Sequence, residues 1–246
     1  MTEPLFHDPD FTRFYDLDNP WDTDKDYCLA LARDAKSVLD LGCGTGELAT
    51  VLAGTRRVTG VEPARAMLDH ARWRQGAKDV RWVEADARHV RLGETFDLVI
   101  MTGHAFQCLL TQEDQRALCA TIAAHLAPEG CFVFDSRNPA VEEWRTWTPK
   151  NTFRTIEVPG IGAVEAWEDA RFEQDTGTVA YDTVYRHRES AREWQATSRL
   201  LFSSQSGIAD AIASAGLAVD RWMGDWTGGP LTGTSSEIIP VGGLTG

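Results

Sequence analysis

One segment constrains this chain more than any other: Val38-Leu-Asp-Leu-Gly-Cys-Gly-Thr-Gly-Glu-Leu-Ala49. Its first part, Ser37–Leu41, reads as a buried strand that runs straight into a turn with glycine at 42, 44 and 46. Leu48, Val51 and Leu52 then follow at helical spacing over Thr45–Ala53. The start of that helix presents free backbone N–H groups. Without Cβ atoms the turn can bend sharply and lie against a ligand. Asp40 stands at the strand tip, where a carboxylate repels a pyrophosphate and suits a cationic amino group. The glycine spacing is G-x-G-x-G, whereas a dinucleotide turn needs G-x-G-x-x-G.

The flanking pattern extends this unit. Asp24–Arg33 predicts a short helix ahead of the first strand. Arg57–Val61 predicts a second strand, with Pro63 suited to the first turn of a helix over Ala64–Arg74. Val80–Val83 and Phe96–Met101 predict a third and a fourth strand. Thr111 is placed to cap a helix, with Asp114 three residues on; that helix is expected to reach about Ala127 and stop at Pro128-Glu-Gly130. Cys131–Phe134 is the fifth strand, ending in Asp135. Strands thus alternate with helices over 24–136, the signature of an α/β, doubly wound, mainly parallel sheet. Right-handed crossovers put the loops after the strand ends on one ligand-binding edge.

Beyond Pro149 the period changes to two. Stripes through Val164, Ala166 and Ala170, through Val179, Tyr181 and Tyr185, and through Trp194, Ala196 and Leu200 predict three or four antiparallel strands over 152–202. Ser206–Ala215 returns to a helix closed by Gly216, and Leu217–Met223 and Ser236–Val241 read as two last strands. The expected organisation has four parts. Residues 1–36 form an N-terminal cap and first helix, and 37–150 the ligand-binding core. Residues 151–203 form an antiparallel β insertion, a substrate lid or a dimer surface. Residues 204–246 supply a C-terminal helix and the last two core strands.

At the glycine turn the sequence resembles the class I S-adenosylmethionine-dependent methyltransferases, whose first motif matches Asp40-Leu-Gly-Cys-Gly-Thr-Gly46. The resemblance covers about 37–136 well and 207–241 more loosely. It implies a Rossmann-like, seven-stranded sheet and a cofactor, S-adenosylmethionine, that leaves as S-adenosylhomocysteine. It places the cofactor against Asp40, Gly42, Cys43, Gly44 and Gly46. It gives Glu62, at the end of the second strand, the two ribose hydroxyls; a carboxylate has two acceptor oxygens to offer. Pro63 follows, and Met67 one turn later is placed for the adenine face or for the core. Asp86 would accept from the adenine amino group, with the Ala87 N–H reaching a ring nitrogen.

In the same family the segment Met101-Thr-Gly-His-Ala-Phe-Gln-Cys108 passes beside the reacting methyl group. Met101 and Gly103 would then adjoin the cofactor. His104 is the candidate catalytic residue, because an imidazole can take a proton from a hydroxyl or ammonium acceptor. It could equally bond the cofactor or cap a turn. Phe106 would line the acceptor site or pack in the core. In similar enzymes the segment before the first core helix folds over the cofactor, which makes Tyr15 and Trp21 candidates. Six of the nine tryptophans lie after residue 136, which favours an aromatic-lined acceptor pocket, with Trp226 the residue to watch.

Composition narrows the partners. Lys and Arg number 24 against 37 Asp and Glu, a net charge of −13. A nucleic-acid binder needs clustered cations, and the Asn/Asp-Pro-Pro-Tyr/Phe motif of amino-methylating nucleic-acid enzymes is missing, so nucleic acid is not expected. The charge also disfavours anionic membrane surfaces, and no apolar run nears the roughly 18 residues of a span. Met1-Thr-Glu-Pro-Leu-Phe lacks the features of a signal peptide, and five widely spaced cysteines suit free thiols. A cytoplasmic protein, monomer or homodimer, is the expectation. The six histidines lack ligand spacing with one another, so no metal is expected. The expected activity is methyl transfer to an N or O nucleophile of a small molecule. The alternatives are a protein methyltransferase and a non-catalytic S-adenosylmethionine-binding protein.

Overall fold

The computed structural model describes residues 4–246; the first three residues of the 1–36 segment lie outside it. The central sheet is built on β1 (Ser37–Leu41), which is buried along its whole length. It pairs in parallel with β2 (Arg57–Glu62) on one side and β4 (Phe96–Met101) on the other. β3 (Val80–Glu84) extends the sheet beyond β2, and β5 (Leu126–Phe134) extends it beyond β4. After β6 (Ser136–Arg137) and the insertion, β11 (Leu217–Met223) and β12 (Glu237–Leu244) close the far edge. The order is β11-β12-β5-β4-β1-β2-β3, and β12 runs antiparallel to its neighbours. These are the seven expected strands, plus the two-residue β6 paired to the start of β12.

Two apolar cores cover the faces. Leu39, Leu41, Val99 and Met101 point into one, and Val38, Leu98 and Ile100 into the other, as alternation along a strand requires. The helix α3 (Thr23–Leu31) precedes β1, and α4 (Glu47–Leu52), α5 (Arg65–Ala71), α6 (Gln112–His125) and α8 (Gln205–Ser214) lie between the strands in sequence. Three of them start on side-chain caps: Asp22 accepts from the Thr23 N–H at 2.6 Å, Thr111 from the Asp114 N–H at 3.1 Å, and Ser204 from the Gly207 N–H at 3.2 Å.

The end of α6 departs from expectation. The helix stops at His125, and Pro128-Glu-Gly130 lies inside β5. Leu126 is buried and already pairs with Phe96, and the register then jumps so that Leu98 meets Cys131. The surplus residues form an irregularity in a strand that packing had already started. His125 adds to this stop, since its Nε2 accepts from the Leu92 N–H at 2.9 Å.

The second sheet is antiparallel, with order β10-β9-β8-β7: β7 is Arg154–Val158, β8 Gly162–Glu173, β9 Thr178–His187 and β10 Glu193–Leu201. What covers it is the N-terminal segment, where the sequence predicted no helix. Asp8 caps α2 (Pro9–Asp18), with Pro9 in its first turn, after the short α1 (Pro4–His7). Phe11 and Phe14 are buried against Val164, Tyr185 and Trp194, and Phe14 stacks on Tyr185 at 4.4 Å. Asp18 ion-pairs with Arg154 of β7 and accepts from the Tyr185 hydroxyl at 2.7 Å. Asp16, two residues earlier, accepts from Thr45 Oγ1 of the glycine turn at 2.5 Å and pairs with Arg74. One helix end therefore ties the second sheet to the turn of the first. Asp18→Ala is expected to cost about 2 kcal/mol, because it leaves a half-buried guanidinium with Glu168 alone. It should also speed proteolytic cleavage within 4–22; an unchanged cleavage rate would show that Asp18 does not hold the segment.

No helix among the described residues is long and apolar enough to cross a membrane. All five cysteines are free thiols.

Candidate active site

The parallel strands deliver their C-terminal ends to one edge. In sheet order that edge presents Asp135, then the Met101–His104 segment, then Asp40 and the glycine turn, then Glu62, then Asp86. β12 is antiparallel, so its first residue, Glu237, arrives at the same edge. A cavity of about 710 Å³ opens here between the two sheets.

The glycine turn is fixed from behind. The Gly42 and Cys43 N–H groups donate to the Val61 carbonyl at 2.8 and 3.1 Å. Glu62, 7% exposed, accepts from the Gly44 N–H at 3.1 Å and the Ala64 N–H at 2.9 Å. All three glycines have positive φ, at 71°, 53° and 76°. At Gly44 a Cβ would meet only Tyr15 Cε1, at 3.9 Å, so the backbone there faces an open cradle beneath Tyr15.

Asp40 is the electrostatic anomaly. It is 3% exposed, lines the cavity, and accepts no hydrogen bond from the described residues. Burial, reinforced by the Glu62 carboxylate, pushes its carboxyl up to about 7. Burial pushes Glu62 up to about 7 as well, partly offset by the Ala64 and Gly44 amides. Burial and neighbouring carboxylates, Glu62 first, push the Tyr15 hydroxyl up too, so it is a neutral donor.

On the adjoining wall His104 sits in a left-handed backbone conformation, φ 61°. Its N–H donates to Asp135 Oδ1 at 3.0 Å. Its Nε2 lies 3.0 Å from Glu237 Oε1 and 3.7 Å from Asp135 Oδ2. Asp135 is 1% exposed, and burial pushes its carboxyl up to about 6, an effect the His104 charge opposes and Glu237 increases. The second sheet and its flanks supply Trp147, Arg154, Glu168 and Tyr181. Arg137 lies over the Trp147 ring at 4.9 Å. The three cations on the wall are already paired: Lys25 with Glu47, Arg137 with Glu143, and Arg154 with Asp18 and Glu168.

Of the residues named from sequence, Tyr15, Asp40, Gly42, Cys43, Gly44, Gly103, His104 and Trp226 line this cavity. Glu62 lies behind the turn and is not on its wall. Gly46 is filled by packing: a Cβ there would come 2.4 Å from Trp82 Cη2. Met67, Ala87 and Met101 are buried, and Pro63 is exposed. Asp86 accepts from the Arg88 N–H and ion-pairs with the Arg88 guanidinium, which keeps its carboxyl below the usual range. Trp21 donates to Asp26 at 2.7 Å and stands off the wall. Phe106 is fully buried, stacked on Phe134 at 4.5 Å, which leaves it no face for an acceptor.

Sequence reasoning missed Asp135, Glu237, Asp24 and Asp18. Asp135 ends a strand at the ligand edge, which was signal enough. Glu237 follows only from the antiparallel course of β12. Comparing histidines with one another could not find a set that joins His104 to two carboxylates from other strands.

A family described as a methyltransferase domain matches residues 38–130. The cypemycin N-terminal methyltransferase of a Streptomyces species is 40% identical over 108 residues, 44% of this chain and 44% of that protein. A dTDP-3-amino-3,4,6-trideoxy-alpha-D-glucopyranose N,N-dimethyltransferase from Streptomyces venezuelae is 33% identical over 165 residues, 67% of this chain and 59% of that protein. The chain thus spans about half the length of these curated relatives. Among solved structures, an S-adenosylmethionine-bound amino pentose methyltransferase from Micromonospora echinaspora superposes with a TM-score of 0.70, at 26% identity over 93% of this chain and 94% of that one. A methyltransferase from Streptomyces caelestis gives 0.78 at 22% identity, covering 95% and 96%, a likeness of fold. Sheet order, glycine turn and these matches agree: residues 38–130 carry a methyltransferase domain, and the chain has the fold of the class I methyltransferases.

Proposed function

We propose that this chain binds S-adenosylmethionine and transfers its methyl group to an N or O nucleophile of a small molecule. The carrying observation is Asp40: a buried carboxylate, unsatisfied by the protein, beside the open cradle at Gly44. Leaving a buried carboxylate without a donor is costly, and a cationic amino group relieves that cost. Asp40, Gly42, Cys43 and Gly44 would hold the amino-acid end, with Tyr15 above. Glu62 and Asp86, next along the edge, would serve ribose and adenine. For Asp86 that requires the Arg88 pair to open.

When bound, the cofactor would supply an electrophilic methyl group on a sulfonium, open to in-line attack by an acceptor lone pair with the thioether as leaving group. The protein's part is to hold the acceptor in that line and exclude water, which removes translational and rotational freedom. His104 is the group for a proton on the acceptor. With Nε2 donating to Glu237, Nδ1 carries the free lone pair, and it meets no hydrogen-bond partner among the described residues. The insertion at 151–203 acts in this reading as the acceptor-side lid of a 37–150 core. A peptide amine is the second reading, favoured by the relative named for N-terminal methylation.

Calorimetry should show micromolar binding of S-adenosylhomocysteine and none of NADH; the reverse result would end this reading. Labelled methyl transfer to a panel of small amines, alcohols and short peptides then separates enzyme from binding protein. His104→Ala should lower kcat about a hundredfold, within the usual range for losing an acid–base group. An unchanged kcat across pH 6–9 would remove His104 as base.

A further inference from the structure

Asp24, Asp40, Asp135 and Glu237 line one cavity and form ion pairs with no Lys or Arg among the described residues. Asp40 is accounted for above; Asp135 and Glu237 close on His104, and Asp24 shares the cavity wall with them. Asp135, which lines the cavity, spends one oxygen on the His104 N–H, and its other oxygen, Oδ2, lies 3.7 Å from His104 Nε2. Glu237 holds His104 Nε2 with Oε1, while its Oε2 is buried without a hydrogen-bond partner. Asp24, on α3, lies close enough to act on both His104 and Asp135. Two carboxylates on one imidazole, one of them with a buried oxygen that meets no donor, and a third carboxylate on the same cavity wall call for a positive guest.

We infer that Asp135 and Glu237, with Asp24 behind them, form a recognition site for a protonated amine, so that the methyl acceptor is an ammonium-bearing small molecule and not an alcohol or a carboxylic acid. This rests on the methyl-transfer reading only for what happens to the amine afterwards. An ammonium offers up to three N–H donors to the free Asp135 and Glu237 oxygens, and strong charge-assisted hydrogen bonds follow. A metal ion fits less well, because the His104 nitrogen nearest both carboxylates is already committed to Glu237 at 3.0 Å. The aromatic walls at Trp147, Tyr181 and Trp226 suit an organic cation. Once seated, the ammonium gives one N–H proton to His104 Nδ1. The N–H electron pair stays on nitrogen as the nucleophilic lone pair, and the imidazolium is stabilised by the same two carboxylates.

The test is binding, with benzylammonium as the probe and benzyl alcohol and benzoate as its neutral and anionic counterparts. Titrations are run on the protein alone and on the protein saturated with S-adenosylhomocysteine. Benzylammonium should bind in both states, at least about tenfold tighter than either counterpart, as expected for a desolvated charge pair. Glu237→Gln, which keeps size and shape, should remove that preference while S-adenosylhomocysteine affinity stays within about twofold. Three results overturn the inference: equal binding of benzyl alcohol, an unaltered preference in Glu237→Gln, or displacement of benzylammonium by S-adenosylhomocysteine, which would assign the carboxylates to the cofactor's own amino group. Displacement by zinc or magnesium at micromolar concentration would make it a metal site instead. Failure to bind S-adenosylhomocysteine would sink the methyl-transfer reading and leave the cation site standing on the first titration.

Discussion

Gly46→Ala is expected to lower the stability of the fold by about 3 kcal/mol. Two costs add. Gly46 has φ 76°, and an L side chain in that region costs about 1–2 kcal/mol. The added Cβ would also stand 2.4 Å from Trp82 Cη2 and 2.8 Å from Ala71 Cβ, and overpacking a tight site costs about 1–3 kcal/mol. Trp82 cannot swing away cheaply, because its Nε1 donates to the Ala77 carbonyl at 3.0 Å. Its ring also fills the space left at Gly60, where a Cβ would approach it to 2.9 Å. Gly44→Ala is the contrast: φ is 53°, but only Tyr15 stands nearby, at 3.9 Å. That variant should lose only about 1 kcal/mol, the strain alone, yet lose cofactor binding, since the methyl projects into the cradle. Urea unfolding with an unchanged m-value measures both. A loss below about 1 kcal/mol for Gly46→Ala would mean that the indole repacks freely.

That pair shows what the sequence could and could not disclose. Three glycines in one turn looked alike on the page. In the structure Gly44 opens to the cavity, whereas Gly46 makes room for a tryptophan 36 positions away along the chain. The order of strands was legible because buried parallel strands are nearly continuous apolar runs, as Val38-Leu-Asp-Leu41 and Phe96-Asp-Leu-Val-Ile-Met101 are. The cap at Thr111 sits where the sequence pattern put it, whereas the helix read from Ser206 starts at Gln205 on a cap at Ser204. The helix α2 was not legible, because its stability comes from Phe11 and Phe14 packing on a sheet more than 130 residues later. The acceptor side was the least legible. His104, Asp135 and Glu237 come from three segments, and only the antiparallel turn of the last strand brings Glu237 to the ligand edge.

The total charge of −13 matters less than where carboxylates lack partners. Of those on the cavity wall, Asp16, Asp18, Glu47, Glu143 and Glu168 each meet a cation, and Asp22 and Asp225 accept from backbone N–H groups, so all seven serve the fold. The ones left over gather where a sulfonium cofactor and an amine would stand. An unneutralised buried carboxylate destabilises the ligand-free fold, and such local cost at a working site is a common trade of stability for binding.

That cost makes a second large effect measurable: cofactor affinity should rise steeply with pH and then level off. Asp40 and Glu62 both titrate near 7 in the ligand-free protein, against ordinary values of 3.8 and 4.5. They interact, so they lose their protons as a pair. In the proposed reading the amino group and ribose hydroxyls of the cofactor donate to Asp40 and Glu62 and need their ionised forms. Binding below pH 7 must therefore release protons, and each proton released changes affinity about tenfold per pH unit. From pH 5 to pH 7 the affinity for S-adenosylhomocysteine should increase roughly a hundredfold for one proton, and then flatten by about pH 8. The sign for stability is opposite. A carboxyl whose pKa is raised by folding stabilises the fold fully below its unfolded value, and that contribution is lost as pH rises through the folded value. For Asp40 and Glu62 the loss spans about pH 4 to 7, so the ligand-free fold weakens over the window in which binding strengthens. Asp40→Asn should separate the two effects. It should be more stable than the parent without ligand at pH 8, by a margin that shrinks toward pH 5, and should bind S-adenosylhomocysteine more than about tenfold more weakly at pH 8. Glu62→Ala should lose both properties, because it also strands the Gly44 and Ala64 amides. Calorimetry in two buffers of different ionisation heat at pH 6.5 counts the protons directly. A parent protein whose affinity stays constant from pH 5 to 8, with no proton release, would show that neither carboxylate faces the cofactor.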